Sequence, residues 1–289
     1  MITKVHTAQI IHEVPAVVID YPAFRNTFIK DDIARTKFNP EGVDGINVNS
    51  KSGFYTALGQ AIAECEIINA QLNRIDICWD FYDNTYAELY RLSKLLLYCM
   101  AVQIGYTQNI SDTNDGFNVR KKSVKVQNTK DSNWTFQFEY YNKLIQKPNQ
   151  PVQARLELRR SRLAETNISE LNKVDFVAAE FITILSAIIS DRGSVYTQTI
   201  NALNCNLVEA YHRGGYDNLR DFVVRNADSF LAKGQLTNFI KRVRPDISNA
   251  AKRAKQLEDS IEDFTMYSKS DLKAMVCELL TALKRYLQA

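Results

Sequence analysis

At 289 residues with 45% hydrophobic content, the chain can bury a sizeable core, and its length suits one large domain or two ordinary ones. Its formal charge is only +3, from 36 Lys and Arg against 33 Asp and Glu, so bulk composition does not announce a nucleic-acid binder. No run of eighteen apolar residues excludes a helical membrane span, the opening Met1–His6 does not read as a signal peptide, and five scattered cysteines without Cys-x-x-Cys spacing point away from zinc or disulfides and toward a reducing cytoplasm.

In chain order, residues 8–20 read as a strand in which Pro15 forces an edge position or a bulge. His6 and His12 lie near it at a spacing that could serve as ligands, but surface or strand-edge residues is the favoured reading, since no third ligand adjoins them. Residues 22–53 read as polar and irregular apart from a short strand at 45–49, and 54–68 as a helix. The segment 74–83 alternates: Ile75, Ile77, Trp79 and Phe81 form an inward row, while Arg74, Asp76, Cys78 and Asp80 face the other way. A helix from about 85 to 103 follows, with Leu89, Leu92, Leu96, Cys99 and Met100 as its apolar stripe. Residues 112–116 form a turn, 118–128 a strand, and 128–133 a hairpin link into the next strand.

Residues 134–143 and 152–160 again alternate at period two. Trp134, Phe136, Phe138 and Tyr140 point inward, which leaves Gln137, Glu139 and Tyr141 on the open face. Val152, Ala154, Leu156 and Leu158 likewise leave Gln153, Arg155, Glu157 and Arg159 outside. A helix at 169–190 follows, and from there to the end only helices are expected, broken near Cys205, Gly214, Gly234 and Pro245. The expected fold is α+β: an antiparallel sheet with flanking helices over 1–165, then an all-helical C-terminal region over 166–289.

If the three alternating strands share one sheet, a tyrosine, up to four carboxylates and several arginines collect on one surface. Those types suit phosphoryl transfer. A phenol oxygen can attack a phosphodiester and hold it as a covalent ester. Carboxylates bind hard divalent cations, and arginine forks or Lys143 clamp phosphoryl oxygens. Charge placement agrees: residues 120–173 hold twelve Lys and Arg against five acids, a local excess of +7, so the remainder sums to −4. Lys121, Lys122 and Lys125 are candidate phosphate contacts, with a guarded strand edge as the plainer reading. Lys241, Arg242 and Arg244 are further candidates, with a solvated helix face as theirs. For the carboxylates the plainer reading is an ion-pair lattice with Arg74, Arg155 and Arg159. Four like charges on one face are a liability without a counterion, which favours a metal for at least two of them.

The segment Glu139-Tyr-Tyr-Asn-Lys143 followed by Arg155-Leu-Glu157, with Arg74-Ile-Asp76 upstream, resembles the Tyr-Asn-Lys, Arg-x-Glu and Arg-[Ile/Leu]-Asp motifs of rolling-circle plasmid replication initiators and filamentous-phage gene II proteins. The likeness covers roughly residues 70–165. It implies a DNA-nicking replication initiator in which Tyr141 attacks one strand at an origin and keeps its 5′ phosphate. Mg²⁺ or Mn²⁺ would be held by Asp76 and Glu157, while Glu139 and Asp80 are candidate ligands on facing alone. Tyr140 is the rival nucleophile, since phage-type relatives can use a second tyrosine. Arg155, Arg159 and Arg160 would contact DNA. The paired histidines of the wider nicking-enzyme group are absent, which favours carboxylate ligation. Implied partners are origin DNA, duplex and single-stranded, with a host helicase, a host polymerase and a second copy of the chain, inside a bacterial cell and away from membranes. The alternatives are a non-enzymatic origin-binding protein, a conjugative relaxase of the same chemistry, and a nuclease that cuts with water.

Overall fold

A computed structural model describes residues 1–14, 20–46, 48–84, 86–103, 110–112, 123–127, 135–146, 149, 151–190 and 269–289. The fold is α+β, built on an eight-stranded sheet in which every neighbouring pair is antiparallel. The strands are β1 (Ile2–Glu13), β2 (Phe24–Lys30), β3 (Ile33–Phe38), β4 (Gln71–Phe81), β5 (Ile110–Asp112), β6 (Ser123–Gln127), β7 (Phe136–Asn142) and β8 (Ala154–Ser161). Their spatial order is β2-β3-β1-β4-β8-β7-β6-β5. The helices are α1 (Lys51–Glu64), α2 (Tyr86–Gln103), the single turn α3 (Lys143–Gln146), α4 (Lys173–Ile189) and α5 (Lys269–Gln288).

The alternating apolar rows all fall on one side of the sheet. Ile75, Ile77 and Trp79 of β4, Phe138 and Tyr140 of β7, and Leu156 and Leu158 of β8 are fully buried in one cluster. That cluster also takes in Phe54 of α1, Leu96, Cys99 and Met100 of α2, Phe181 and Leu185 of α4, and Leu279 and Leu283 of α5. The expected boundary at 165/166 therefore does not divide the core: α4 and α5 cover the same sheet face as α1 and α2. Trp79 sits beneath α5 and donates its indole N–H to the Leu279 carbonyl at 3.0 Å.

Two expectations change near the N-terminus. β1 ends at Glu13, before Pro15, and it is an interior strand between β3 and β4. His12 is accordingly buried, 2.9 Å from Thr36 Oγ1. Residues 24–38, expected to be irregular, form the β2–β3 hairpin, closed by Asp31 and Asp32 with φ of 50° and 60°. Asp tolerates that left-handed region, which a two-residue hairpin turn requires. Six of the seven β2 residues are exposed, so the strand has no buried face and shows no apolar alternation. Among the described residues, no helix is long and apolar enough to cross a membrane.

Candidate active site

Residues directly opposite in an antiparallel pair share a face, so the register fixes what lies on the side of the sheet away from the apolar cluster. One row reads Asp80, Arg155, Tyr141 across β4, β8 and β7. The next reads Lys4, Cys78, Glu157, Glu139, Lys125 across β1, β4, β8, β7 and β6. A third reads Thr7, Asp76, Arg159, Gln137. The three strands that alternate in the sequence thus bring Tyr141, Asp76 and Glu157 to one face. Tyr141 is 6% exposed and donates its hydroxyl proton to Glu157 Oε2 at 2.9 Å.

The register of β1 slips between Val5 and Thr7, so one extra residue, His6, is accommodated there. Such a bulge re-aims side chains, and here it turns an imidazole toward the carboxylates. His6, Asp76 and Glu157 each offer one ligand atom, all within 4.8 Å of one another. His6 Nδ1 lies 3.3 Å from Glu157 Oε2 and 3.1 Å from Thr7 Oγ1, and Nε2 lies 3.2 Å from Glu41 Oε2. Two carboxylates and an imidazole suit a divalent cation, and the nitrogen ligand tilts the choice from Mg²⁺ toward Mn²⁺. Glu41 would then orient the ring from behind, as carboxylates commonly do for metal-bound histidines. The competing contact is Arg74, which donates to both oxygens of Asp76, so a cation must share that carboxylate with it or displace it.

Among the described residues, five carboxylates around Tyr141, Glu41, Asp76, Asp80, Glu139 and Glu157, are ion-paired with five cations, Lys4, Arg74, Lys143, Arg155 and Arg159. Uncompensated like charge is therefore no ground for a metal, contrary to the sequence-based expectation; the donor geometry has to stand by itself. Burial alone would raise the Glu157 carboxyl, but Arg159, His6 and Arg155 outweigh it and hold it well below the usual carboxylate range. Burial and the Glu157 charge push the Tyr141 phenol well above 10, against a smaller opposing pull from Arg155. As the side chains stand, the phenol keeps its proton.

The other expected site residues divide. Asp80 is fully buried and clasped by Arg155 and Lys4, outside the three-ligand group. Glu139 is outside it too, 3.3 Å from Arg159. Lys143 opens α3 and donates to Glu41 at 3.0 Å. Arg159, 20% exposed, spans Asp76, Glu139 and Glu157, and remains placed to meet a phosphate. Arg155 corrects one expectation: at 0% exposure it is consumed by Asp80 and Glu41 and cannot contact DNA. Arg160 corrects another, since it lies on the opposite face with Glu180 and the Phe136 and Phe176 rings. Tyr140 also faces away, fully buried against Phe81, so it cannot act as a nucleophile on this face. For Lys125 only the backbone register opposite Glu139 is described, and Lys121, Lys122, Lys241, Arg242 and Arg244 lie outside the described residues.

Glu41 has no signature in the sequence, and His6, a possible ligand there, reads more simply as a strand-edge residue. His6 is local to β1, and only the slip in register aims it; Glu41 comes from the segment after β3 and reaches His6, Lys143 and Arg155 through tertiary folding alone. The one available signal was the His-Thr pair breaking the alternation of β1 between Val5 and Ala8.

Comparison with known proteins adds little. No protein-family model matches the chain, and no curated protein matches it. A solved structure of a rolling circle replication initiator protein from Geobacillus stearothermophilus aligns at 12% identity and a TM-score of 0.35, covering 64% of this chain and 84% of that one. At so loose an overlap, function rests on the residues themselves.

Proposed function

We propose that this protein is a DNA-nicking replication initiator of rolling-circle type, with Tyr141 as the nucleophile. The observation that carries this reading is one hydrogen bond: the Tyr141 hydroxyl donates at 2.9 Å to Glu157, a carboxylate that also belongs to the His6–Asp76–Glu157 group. A nucleophile and a candidate cation site share a carboxylate there, which supports both reaching one phosphate. His6, Asp76 and Glu157 would hold Mn²⁺ or Mg²⁺, and the ion would supply positive charge against the phenol and phosphoryl oxygens.

The chain's own residues do the rest. Tyr141 forms the new O–P bond as the P–O3′ bond breaks, and its proton leaves along the existing hydrogen bond to Glu157. The departing 3′ oxygen takes the proton that Glu157 received and becomes the primer end for a host polymerase, while the 5′ phosphate stays on Tyr141 for the reverse reaction. Arg159, the most exposed of the three arginines beside the group, clamps the non-bridging oxygens.

Supercoiled DNA carrying the chain's cognate origin, incubated with Mn²⁺, is expected to yield an open circle with protein on its 5′ end. Tyr141→Phe should abolish both the nick and the adduct, and Tyr140→Phe should keep both. Intact DNA with the unaltered protein overturns the proposal, and cutting that survives Tyr141→Phe reassigns it to a nuclease that uses water. One observation favours a second reading: the five described carboxylates around Tyr141 are already ion-paired, as in a protein that only binds an origin. That reading predicts binding without an adduct at any metal concentration.

A further inference from the structure

The β2–β3 hairpin lies five strands across the sheet from Tyr141, at its far edge. Its strands carry Arg25, Lys30, Arg35 and Lys37 and no acid; the two acids, Asp31 and Asp32, sit in the turn. Phe28 is 63% exposed, an unusual place for a phenyl ring unless something covers it. Ile29 and Ile33 of the same hairpin are also exposed, but only Phe28 offers an aromatic face.

Phe28 is opposite Arg35, and Arg35 is opposite Ile11 of β1; Lys37 is opposite Gln9, which in turn is opposite Arg74 of β4. Opposed residues share a face, so Phe28, Arg35 and Lys37 lie on the same side of the sheet as Asp76, Glu157 and Tyr141. Lys37 is near enough to the site's cations to feel them: burial first, then Arg74 and Arg159, lower its pKa against the opposing pull of Asp76. Lys37 thus stands between the hairpin and the arginines at the rim of the candidate active site.

We propose that this hairpin is a platform for single-stranded nucleic acid, with Phe28 stacking on an unpaired base and Arg35 and Lys37 holding phosphates of a strand that runs across the sheet toward Tyr141. The chemistry selects the occupant. Strand cations without acids call for a polyanion, and a projecting ring calls for a base whose face is free, which a duplex does not present. Five inter-strand steps of about 4.8 Å span roughly 24 Å, a distance a few nucleotides cover. The strand's path to Tyr141 rests on the proposed function, but occupancy of the platform does not require cutting.

The test uses the full chain carrying Tyr141→Phe, in EDTA, with fluorescein-labelled oligothymidine of about 16 nucleotides, the upper range for one such module. Phe28→Ala should weaken binding about 5- to 150-fold, the loss of one base–aromatic stack. Phe28→Trp should restore it, and Phe28→Leu, which keeps the apolar surface, should not. Arg35→Ala with Lys37→Ala should reduce the salt slope of binding by about 1.4, the value for two single-strand phosphates. Unchanged affinity in Phe28→Ala overturns the proposal, as does wild-type affinity in Phe28→Leu. If Phe28→Ala instead converts a dimer to a monomer with oligothymidine affinity intact, the hairpin is a self-association face and the proposal fails. Phe28-dependent binding by a protein that never nicks origin DNA would sink the proposed function and leave the platform standing; nicking with Phe28-independent binding would do the reverse.

Discussion

Asp80 and Arg155 show how much of the polar face is structural. Both side chains are fully buried, and Arg155 also meets Glu41 while Asp80 also meets Lys4. Breaking a buried pair by removing one partner leaves an uncompensated charge, so Asp80→Asn should cost about 3–5 kcal/mol at neutral pH. Its pH dependence has a definite sign. Burial would raise the Asp80 carboxyl, but Arg155 and Lys4 together depress it below its ordinary value. Its contribution is then complete above the unfolded-state pKa of about 3.9 and fades as pH falls toward the lower folded value. Urea unfolding at pH 7 and pH 3 should therefore show the gap between wild type and Asp80→Asn shrinking in acid; an equal gap at both would mean the pair does not ionise as described. Tyr141→Phe should behave differently. Glu157 keeps Arg159 and His6, so the variant should lose about 1 kcal/mol or less, which makes lost nicking a statement about chemistry and not about folding.

Among the elements, α4 depends on borrowed partners at its first turn. Its own N-cap, Asn172, makes no side-chain capping bond. Instead the Tyr55 hydroxyl on α1 accepts from the Val174 N–H at 3.2 Å and donates to the Glu170 carbonyl at 2.8 Å, and burial pushes the phenol up to about 12. The same turn closes the end of β4 where β8 gives out: Glu170 accepts from the Leu72 N–H at 2.6 Å and Lys173 donates to the Leu72 carbonyl at 3.2 Å. Tyr55→Phe keeps the ring packed and removes only the two hydrogen bonds. Chemical denaturation should register a loss of about 1–3 kcal/mol, the cost of leaving a buried N–H without a partner; an unchanged midpoint would show that the cap contributes nothing. The bulge in β1 acts in the same indirect way, by aiming His6 at the carboxylates.

At the scale of the molecule, one face of the sheet is a core and the other carries the candidate site, and helices distant in the chain are needed to close the core. Leu272, Val276, Leu279 and Leu283 of α5 are buried in the same cluster as β4 and β8. A chain ended at residue 165 lacks both α4 and α5, which would expose Trp79 and its neighbours as an apolar patch of the kind that drives aggregation. Such a fragment should be insoluble or lack a cooperative thermal transition by circular dichroism; a soluble, cooperatively melting fragment would restore the two-unit division expected from the sequence.

Period-two alternation in residues 74–83, 134–143 and 152–160 was enough to say which side chains share a face, because the pleat is a local property that each strand carries in its own sequence. That alternation alone puts Asp76, Glu157 and Tyr141 together and sends Tyr140 to the core. The β2–β3 hairpin was illegible for the converse reason: an edge strand with no buried face writes no pattern. Strand order, the slip that aims His6, the arrival of Glu41 and the burial of Arg155 were decided only by the tertiary structure. Each depends on segments tens of residues apart meeting in space, and local periodicity carries no information about which remote segments will meet.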